Sequence, residues 1–546
     1  MLNTPTRLRH AVIGWTIAAL IGLVVGFGMA RSETDAEVRK SIQIWSAAFE
    51  EIVNTYVDTV SPSDLMETGM QAMLSDLDPY TTYISPDDRA TVDVLTRGRF
   101  IGIGVQVDRR GQHVAVTSVV EGSSADQRAI SIGDVITHID GEEIASWSLN
   151  QVRAALRGAQ GSAVELSLLR LGESPATLTL RREPVELATV PYSGFIGGSR
   201  HGMGYVRVER FTHQAGLEVK QAIGDLQRRA SLNGLVLDLR DNPGGLLNAA
   251  VDVSSLFLDR GRVVVSTKGR DGLDRSYRNT NPPLYGDVPL VLLVNGRSAS
   301  ASEIVAGAIQ DHDRGIVLGQ TTFGKGLVQV IRSLPHGGSL KMTTARYYTP
   351  SGRSIQSAPN GADARPSASR QIFETTTGRP VQESQGIRPD VPIDDTFSSP
   401  LERALLQEGA FFRFASHIAR TYERPPSNGW ERDSLIASFR DWVEAEGISY
   451  QTQTQDAANR IDSLVTADHP DASEALNSLQ STLQRSVDRQ FEAHADILMA
   501  RLLSEIRSRY LTARGYYASS LAEDEMVREA VSLLNDERRY VTVLNP

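Results

Sequence analysis

Four short runs constrain this chain most: GMGYVRV (202–208), LNGLVLDLR (232–240), VPLVLLVN (288–295) and RGIVLG (314–319). Each is rich in Val, Ile and Leu and is apolar at consecutive positions, without the alternation of a half-exposed strand. Such runs belong to strands covered on both faces, as in a parallel sheet between helices. Helical stretches separate them: GLEVKQAIGDLQRRA, NAAVDVSSLFL and SEIVAGAIQDHD. The pattern from about Val190 to Asp394 is therefore α/β.

The rest of the chain reads differently. Residues 35–75 carry Ile42, Trp45, Phe49, Ile52, Val53 and Tyr56 at three- and four-residue steps, a helical period. From about Arg97 to Glu186 the texture is short alternating strands with glycine turns. Asp140-Gly141 marks a turn there, and SLNQVRAALRG reads as a helix closed by Gly158. After Ser399 the pattern is helical. Leu476, Leu479, Leu483, Val487, Phe491, Leu498, Leu502 and Ile506 mark one long apolar stripe. That stripe serves either a local helical subdomain or a subunit interface. The Ser/Ala/Pro-rich stretch between Ser357 and Gln385 reads as a mobile surface loop. The divisions expected are 1–34, 35–95, 96–187, 188–396 and 397–546.

Net charge is -10 over 546 residues, which argues against a nucleic-acid partner. There is no cysteine, so disulfides and thiolate chemistry are excluded. At the N-terminus Arg7, Arg9 and His10 precede an uncharged apolar run, Ala11 to Ala30, and Glu33, Asp35 and Glu37 follow. Length and flanking charge predict a single membrane pass with the bulk of the chain outside the cytoplasm. Gly28 and Ala30 also suit signal-peptide cleavage. The expected localisation is an inner membrane, with the bulk of the chain facing the periplasm.

Two stretches carry candidate chemistry. In RSASASEIVAGA, Ser298, Ser300 and Ser302 occupy every second position at a strand-to-helix corner. Ser300 and Glu303 form a capping-box pattern, so Ser300 has a structural use as a helix cap. The same corner offers free N–H groups and the positive end of a helix dipole, which suit a nucleophile. In GQTTFGKGLVQV, Lys325 lies between two glycines and Gln329 is four residues on, a spacing that shares a strand face. The lysine is either an exposed loop residue or a desolvated neutral base oriented by Gln329. In LDLRDNPGGLL, Gly244 and Gly245 follow a strand and let backbone N–H groups approach a ligand.

Together these segments resemble the carboxyl-terminal processing (tail-specific) proteases. LSDLDPYTTYISPDD, LNGLVLDLRDNPGGLLNAAVDVSSLFL, SASASEIVAGAIQDHDRGIVLGQTTFGKGLVQ and GIRPDVPI occur in that family's order. The resemblance covers roughly Ile42 to Asp394. It implies a crotonase/Clp-protease-like α/β core with an inserted PDZ domain, an N-terminal helical segment and a helical C-terminal region. It implies Ser300 as nucleophile, Lys325 as general base, Gln329 as its holder, and no role for His312 or His336. The oxyanion hole would come from Ala301 and Gly245, with Gly244 the alternative, and Ser298 and Ser302 would be structural. Gly102, Ile103, Gly104 and Val105 would form the PDZ loop that takes a terminal carboxylate, and Arg157 would sense bound peptide. The implied activity is an extracytoplasmic endopeptidase acting on protein C-termini through an acyl-enzyme, with no metal or cofactor. The tail would join subunits, bind an adaptor or cover the active site. Two other readings stand beside it: an inactive peptide-binding scaffold, and an acyl-thioester enzyme of the crotonase type.

Overall fold

The computed structural model describes residues 35–86, 97–170, 175–270, 274–356, 371–383, 385–393, 399–448, 457–458, 460–461 and 473–545. The described residues up to Ser85 form one compact unit and those from Pro86 onward another. In the first, a helix over 35–55 is followed by a second, Pro62–Ser75. The second begins with Ser61 accepting from the Asp64 N–H and with proline at its first position, where a missing N–H costs nothing. Trp45 stacks on Phe49 and lies against Gly69.

One expectation is corrected here. Among the described residues no helix is long and apolar enough to cross a membrane, and the run Ala11–Ala30 lies outside them. A hydrocarbon layer about 30 Å thick needs about 20 consecutive apolar residues. The longest tail helix, Ser473–Ala493, instead carries charge along its length. The described residues supply no spanning helix, and the inner-membrane assignment is withdrawn.

The second unit opens with the expected alternating strands. Strands β1 (Arg99–Gly102), β2 (Val105–Arg110), β3 (His113–Val119) and β4 (Val135–Ile139) precede helix α1 (Leu149–Leu156). Strands β5 (Ala163–Leu169), β6 (Ala176–Arg181) and β7 (Glu183–Glu186) follow it. The pairing order β2-β3-β4-β5-β6 leaves β2 at an edge, and β1 pairs with β7. Val164, Leu166 and Leu168 are buried at every second position of β5, the period of a strand with one covered face. A Ser148–Gln151 capping box starts α1, and Arg157 then Gly158 end it.

The α/β core comprises β8 (Tyr192–Phe195), β9 (Met203–Arg207), α2 (Ala215–Arg229), β10 (Gly234–Asp238), α3 (Leu247–Ser255), β11 (Val263–Gly269), β12 (Arg275–Arg278), β13 (Leu290–Val294), α4 (Ala301–Asp311), β14 (Ile316–Gly319), β15 (Leu327–Ser333), β16 (Ser339–Tyr348), β17 (Ile372–Glu374), β18 (Pro380–Gln382) and β19 (Val391–Pro392). One sheet runs β8-β9-β10-β13-β14-β19, parallel from β9 onward. Strands β15, β16, β11 and β12 pair antiparallel in that order.

The parallel strands are continuously apolar because both faces are covered. Leu235, Leu237, Leu290, Leu292, Val294 and Val317 pack with α2, α3 and α4. Their neighbours Val236, Val291, Leu293, Ile316 and Leu318 point the other way and pack with residues of the last helices of the chain. The tail contains α5 (Pro400–Gln407), α6 (Ala410–Thr421), α7 (Arg432–Ala445), α8 (Ser473–Ala493), α9 (Ala495–Tyr510), α10 (Ala513–Ser520), α11 (Glu525–Asn535) and α12 (Glu537–Leu544). Leu498, Leu502 and Ile506 of α9 are buried against α5, α6 and α7. This part of the stripe therefore serves a local bundle, and those three side chains are not available to a second subunit or an adaptor, while Leu479 is exposed. Beyond it, Val527, Ala530 and Leu533 of α11 cover the sheet, and the Tyr540 hydroxyl bonds both the N–H (2.9 Å) and the C=O (3.0 Å) of Leu290.

The stretch read as a mobile loop is partly ordered. Residues 371–383 hold the β17–β18 hairpin, while 357–370 lie outside the described residues. The buried Arg379 ties the hairpin to Asp313 and Asp390, each at 2.6 Å, and Thr376 donates its N–H to the Asp311 carbonyl.

At the end of β10 the Asp238 carboxylate is fully buried. It accepts from Tyr205 (2.6 Å) and pairs with Arg207 (3.1 Å) and Arg240 (2.6 Å); Arg240 also pairs with Asp524 of the tail (2.7 Å). Burial alone would raise its pKa, but the Arg240 and Arg207 guanidiniums outweigh burial and hold it well below the usual carboxylate range. A depressed pKa stabilises the fold above the unfolded value, about 3.9, and that stability is lost as pH falls through the folded value. Asp238→Asn should cost about 3–5 kcal/mol, because two buried guanidiniums lose their shared anion. It should also weaken the acid dependence of stability below about pH 4, read by urea denaturation across pH. Leu533→Ala should cost about 2–5 kcal/mol in the same assay. An unchanged midpoint would mean that the last helices do not complete the core.

Candidate active site

The strand-to-helix corner after β13 is built on the buried carboxylate of Glu303. Its Oε2 accepts from the N–H of Ser300 (2.7 Å) and from the N–H of Lys325 (2.9 Å). Its Oε1 accepts from the Thr322 hydroxyl (2.6 Å) and the Gly324 N–H (2.7 Å). One oxygen therefore holds the main chains of Ser300 and Lys325 within two hydrogen-bond lengths of each other. Burial pushes the Glu303 carboxyl above its ordinary range, while these four donors favour the charged form.

Ser300 is the residue before α4, as the capping box requires, but its backbone is unusual at φ 55°, ψ -111°. A non-glycine residue held there stores strain, and such strain concentrates at functional corners. The flanking serines fasten the corner from below. Ser298 donates its hydroxyl to the Leu239 carbonyl (2.8 Å) and Ser302 donates to the Asn242 carbonyl (2.9 Å). The Ala299 N–H donates to the same Asn242 carbonyl (3.0 Å).

The NPGG turn lies directly against this corner. A Cβ on Gly244 would lie 2.7 Å from the Ala299 carbonyl oxygen and 2.8 Å from the Ser300 Cβ, so only glycine fits. The buried Asn242 side chain sets which N–H is available. Its Nδ2 donates to the Val208 carbonyl, and its Oδ1 accepts the Gly244 N–H, both at 2.9 Å. Among the described residues the N–H groups of Gly245 and Ala301 have no acceptor.

Lys325 is not within a strand, contrary to its sequence pattern. Gly324, at φ 91°, turns the chain, and β15 begins only at Leu327. The lysine still meets Gln329: its Nζ donates to the Gln329 Oε1 at 2.9 Å. The Tyr347 hydroxyl holds the Lys325 carbonyl, and the Gln356 side chain accepts the Gly326 N–H (3.1 Å). His312 donates to or accepts from groups away from this corner, with Nε2 on the Val263 carbonyl (2.7 Å), and His336 occupies a turn.

In the N-terminal part of this unit, Gly102–Val105 forms the turn between β1 and β2. The Ile103 and Gly104 carbonyls point inward, accepting from Ala125 (2.9 Å) and Val120 (2.8 Å). Gly104 has φ 88°, and a Cβ there would sit 2.1 Å from the Ser123 Cβ. Arg157 bridges to Gly102, and its guanidinium lies over the Phe100 ring at 5.3 Å.

Sequence reasoning saw Glu303 only as a helix cap and passed over Asn242, Thr322 and Tyr347. The cap pattern was the one available signal, since the other donors to Glu303 lie about twenty residues downstream.

Comparison with known proteins fits this architecture. Three family models match: peptidase family S41 over residues 202–363, a PDZ domain over 91–169, and a PDZ-protease C-terminal helical domain over 401–534. A carboxy-terminal-processing protease of Bartonella bacilliformis is 36% identical over 336 residues, covering 60% of this chain and 76% of its own length. A carboxyl-terminal-processing protease of Picosynechococcus sp. is 38% identical over 288 residues, covering 52% and 67%. A solved photosystem II D1 C-terminal processing protease aligns over 67% of this chain and 97% of its own, at 29% identity and a TM-score of 0.38. The class is thus a serine-type peptidase carrying a PDZ domain, a module that binds peptide C-termini. The chain belongs to the carboxy-terminal-processing protease family. The expected α/β architecture, with PDZ domain, peptidase core and helical C-terminal region, is borne out.

Glu303→Gln should destabilise the chain by about 2–4 kcal/mol, because the new NH₂ must face hydrogen-bond donors on one side of the carboxamide. Thermal unfolding checks this. A melting temperature equal to the parent's would mean that the four contacts are not stabilising.

Proposed function

We propose that this chain is an endopeptidase that captures protein C-termini in its PDZ groove and cleaves them with a Ser300–Lys325 pair. The observation that carries this reading is the shared Glu303 oxygen, which fixes Ser300 and Lys325 to one anchor, together with the Lys325–Gln329 hydrogen bond. In this reading the Ser300 oxygen bonds to the scissile carbonyl carbon and its proton passes to the neutral Lys325 amine. The developing oxyanion accepts hydrogen bonds from the Gly245 and Ala301 N–H groups. Breaking of the C–N bond returns the lysine's proton to the leaving amine and leaves an acyl-enzyme. Water then attacks the acyl carbon, giving its proton to Lys325; the acyl C–O bond breaks and Lys325 returns that proton to the Ser300 oxygen. Gln329 Oε1 orients the amine so that its lone pair faces the serine.

Asn242 supports Gly245 over Gly244 as donor, because it already takes the Gly244 N–H. The α4 N-terminus adds its dipole to the same oxygen. The working divisions are a PDZ domain over 96–187 and a peptidase core over 188–396, with the helical region 397–546 supplying both a bundle and the core's last layer.

Against a disordered protein with an apolar C-terminus, Ser300→Ala and Lys325→Ala should each lower kcat by at least about 10⁴-fold. Gln329→Ala should lower it about 10- to 100-fold. Far-UV circular dichroism should match the parent in all three. Parent turnover should rise with pH and level off as one amine loses its proton. Undiminished cleavage by Lys325→Ala would remove the dyad. Binding without turnover by the parent would favour the scaffold reading instead.

A further inference from the structure

The PDZ groove lies between the edge strand β2 and helix α1. Its walls include Ile103, Val105 and Leu156, and three guanidiniums, those of Arg153, Arg157 and Arg210. The carboxylate lining it, Asp108, is already paired with Arg110 at 2.5 Å. Arg210 is likewise paired, with Glu209 at 3.6 Å, whereas Arg153 meets a main-chain carbonyl and not a carboxylate.

The main-chain pattern tells which groups of β2 face the groove. Val107 lies opposite Val116. The N–H of Val116 donates to Asp134 (2.8 Å) and its carbonyl accepts from Gly133 (2.9 Å), both on the side away from β2. In an antiparallel pair such residues form a non-hydrogen-bonded pair, so the Val107 N–H and C=O point outward into the groove. That outward carbonyl is occupied: Arg153 crosses from α1 and donates its Nη2 to it at 3.2 Å. A second guanidinium crosses in the other sense, from Arg109 of β2 to the carbonyls of Ala145 and Trp147 just before α1. Arg153 thus spans the groove itself, and Arg109 ties β2 to the segment before α1.

Resting on the C-terminal capture proposed above, we infer that Arg153 selects an acidic side chain at the third residue from the substrate's C-terminus. A peptide joining β2 antiparallel, with its carboxylate on the Ile103–Val105 turn, brings its last residue alongside Val105. Its third-from-last residue comes alongside Val107, two positions on. The main chain there needs the Val107 carbonyl and displaces the guanidinium. Side chains two apart share a face, so this residue points, like the last one, toward α1. Arg153 is exposed and remains at hand. A Glu or Asp gives the displaced guanidinium a charge-assisted partner; a neutral residue leaves it only solvent; a Lys repels it. Apolar Ile103, Val105 and Leu156 suit an apolar last residue.

The test uses the full chain carrying Ser300→Ala, which stops turnover. Labelled decapeptides ending Glu-Ala-Val, Gln-Ala-Val or Lys-Ala-Val are titrated by fluorescence anisotropy, each with a free and an amidated end. The Glu peptide should bind about tenfold more tightly than the Gln peptide, and the Lys peptide most weakly. Arg153→Gln should abolish the Glu/Gln difference while keeping or improving affinity for the Gln peptide, which also verifies that the domain is folded. Arg153→Lys should restore part of the difference. Equal binding of the free Glu and Gln peptides, or a difference that survives Arg153→Gln, overturns the inference and leaves C-terminal capture standing. Equal binding of free and amidated peptides overturns the capture reading itself, and the inference with it.

Discussion

The site rests on one buried anion. Glu303 has no solvent exposure, and its two oxygens gather donors from the start of α4 and from the Thr322–Lys325 turn. A buried carboxylate is costly unless every lone pair is used. Here that cost makes the arrangement specific: moving either segment leaves charge unsatisfied in a dry interior. The two segments approach each other for electrostatic reasons, and the side chains of Ser300 and Lys325 inherit their positions from the main chain.

The second half of the corner depends on Asn242. It is fully buried, reaches from the NPGG turn to Val208, and accepts from Ser302 and Ala299 through its own carbonyl. The strained backbone of Ser300 persists because it is fixed from three sides: Glu303 on its N–H, the Asn242 carbonyl on Ala299, and Gly244 against its Cβ. Conformations of this kind survive only where the surroundings over-determine them.

Much of the architecture was legible because the physics was local. Consecutive apolar residues in Leu290–Val294 announce two covered faces, and alternation in Ala163–Leu169 announces one. What covers the second face of the parallel sheet was not legible. The residues that do so, such as Val527 and Leu533, have the same helical spacing as those of the bundle, and amphipathicity does not name its partner. At the site, the serine, lysine and glutamine came from a motif resemblance. Glu303 gave only its local role as a cap, since Thr322 and Gly324 join it through tertiary structure. The Lys325 strand pattern misled because flanking glycines turn the chain before β15 begins. The apolar N-terminal run predicted a spanning helix that the described residues do not contain.

The peptide groove and the corner share a stretch of main chain. Arg210 lines the groove, and its neighbour Phe211 is bonded on both sides to the NPGG turn: the Phe211 N–H donates to Gly244 (3.0 Å) and its carbonyl accepts from Leu246 (2.8 Å). A Cβ on Gly245 would lie 2.3 Å from that same carbonyl oxygen. The Gly245 N–H therefore takes its direction from a ladder whose other strand begins at the groove wall. Next to Phe211, the buried Thr212 hydroxyl bonds that of Thr189 at 2.8 Å, just after β7. The groove that holds Arg210 and the NPGG turn beside Ser300 thus lie on adjoining parts of residues 208–212. Within this short segment Val208, Phe211 and Thr212 are buried, while Glu209 and Arg210 keep part of their surface.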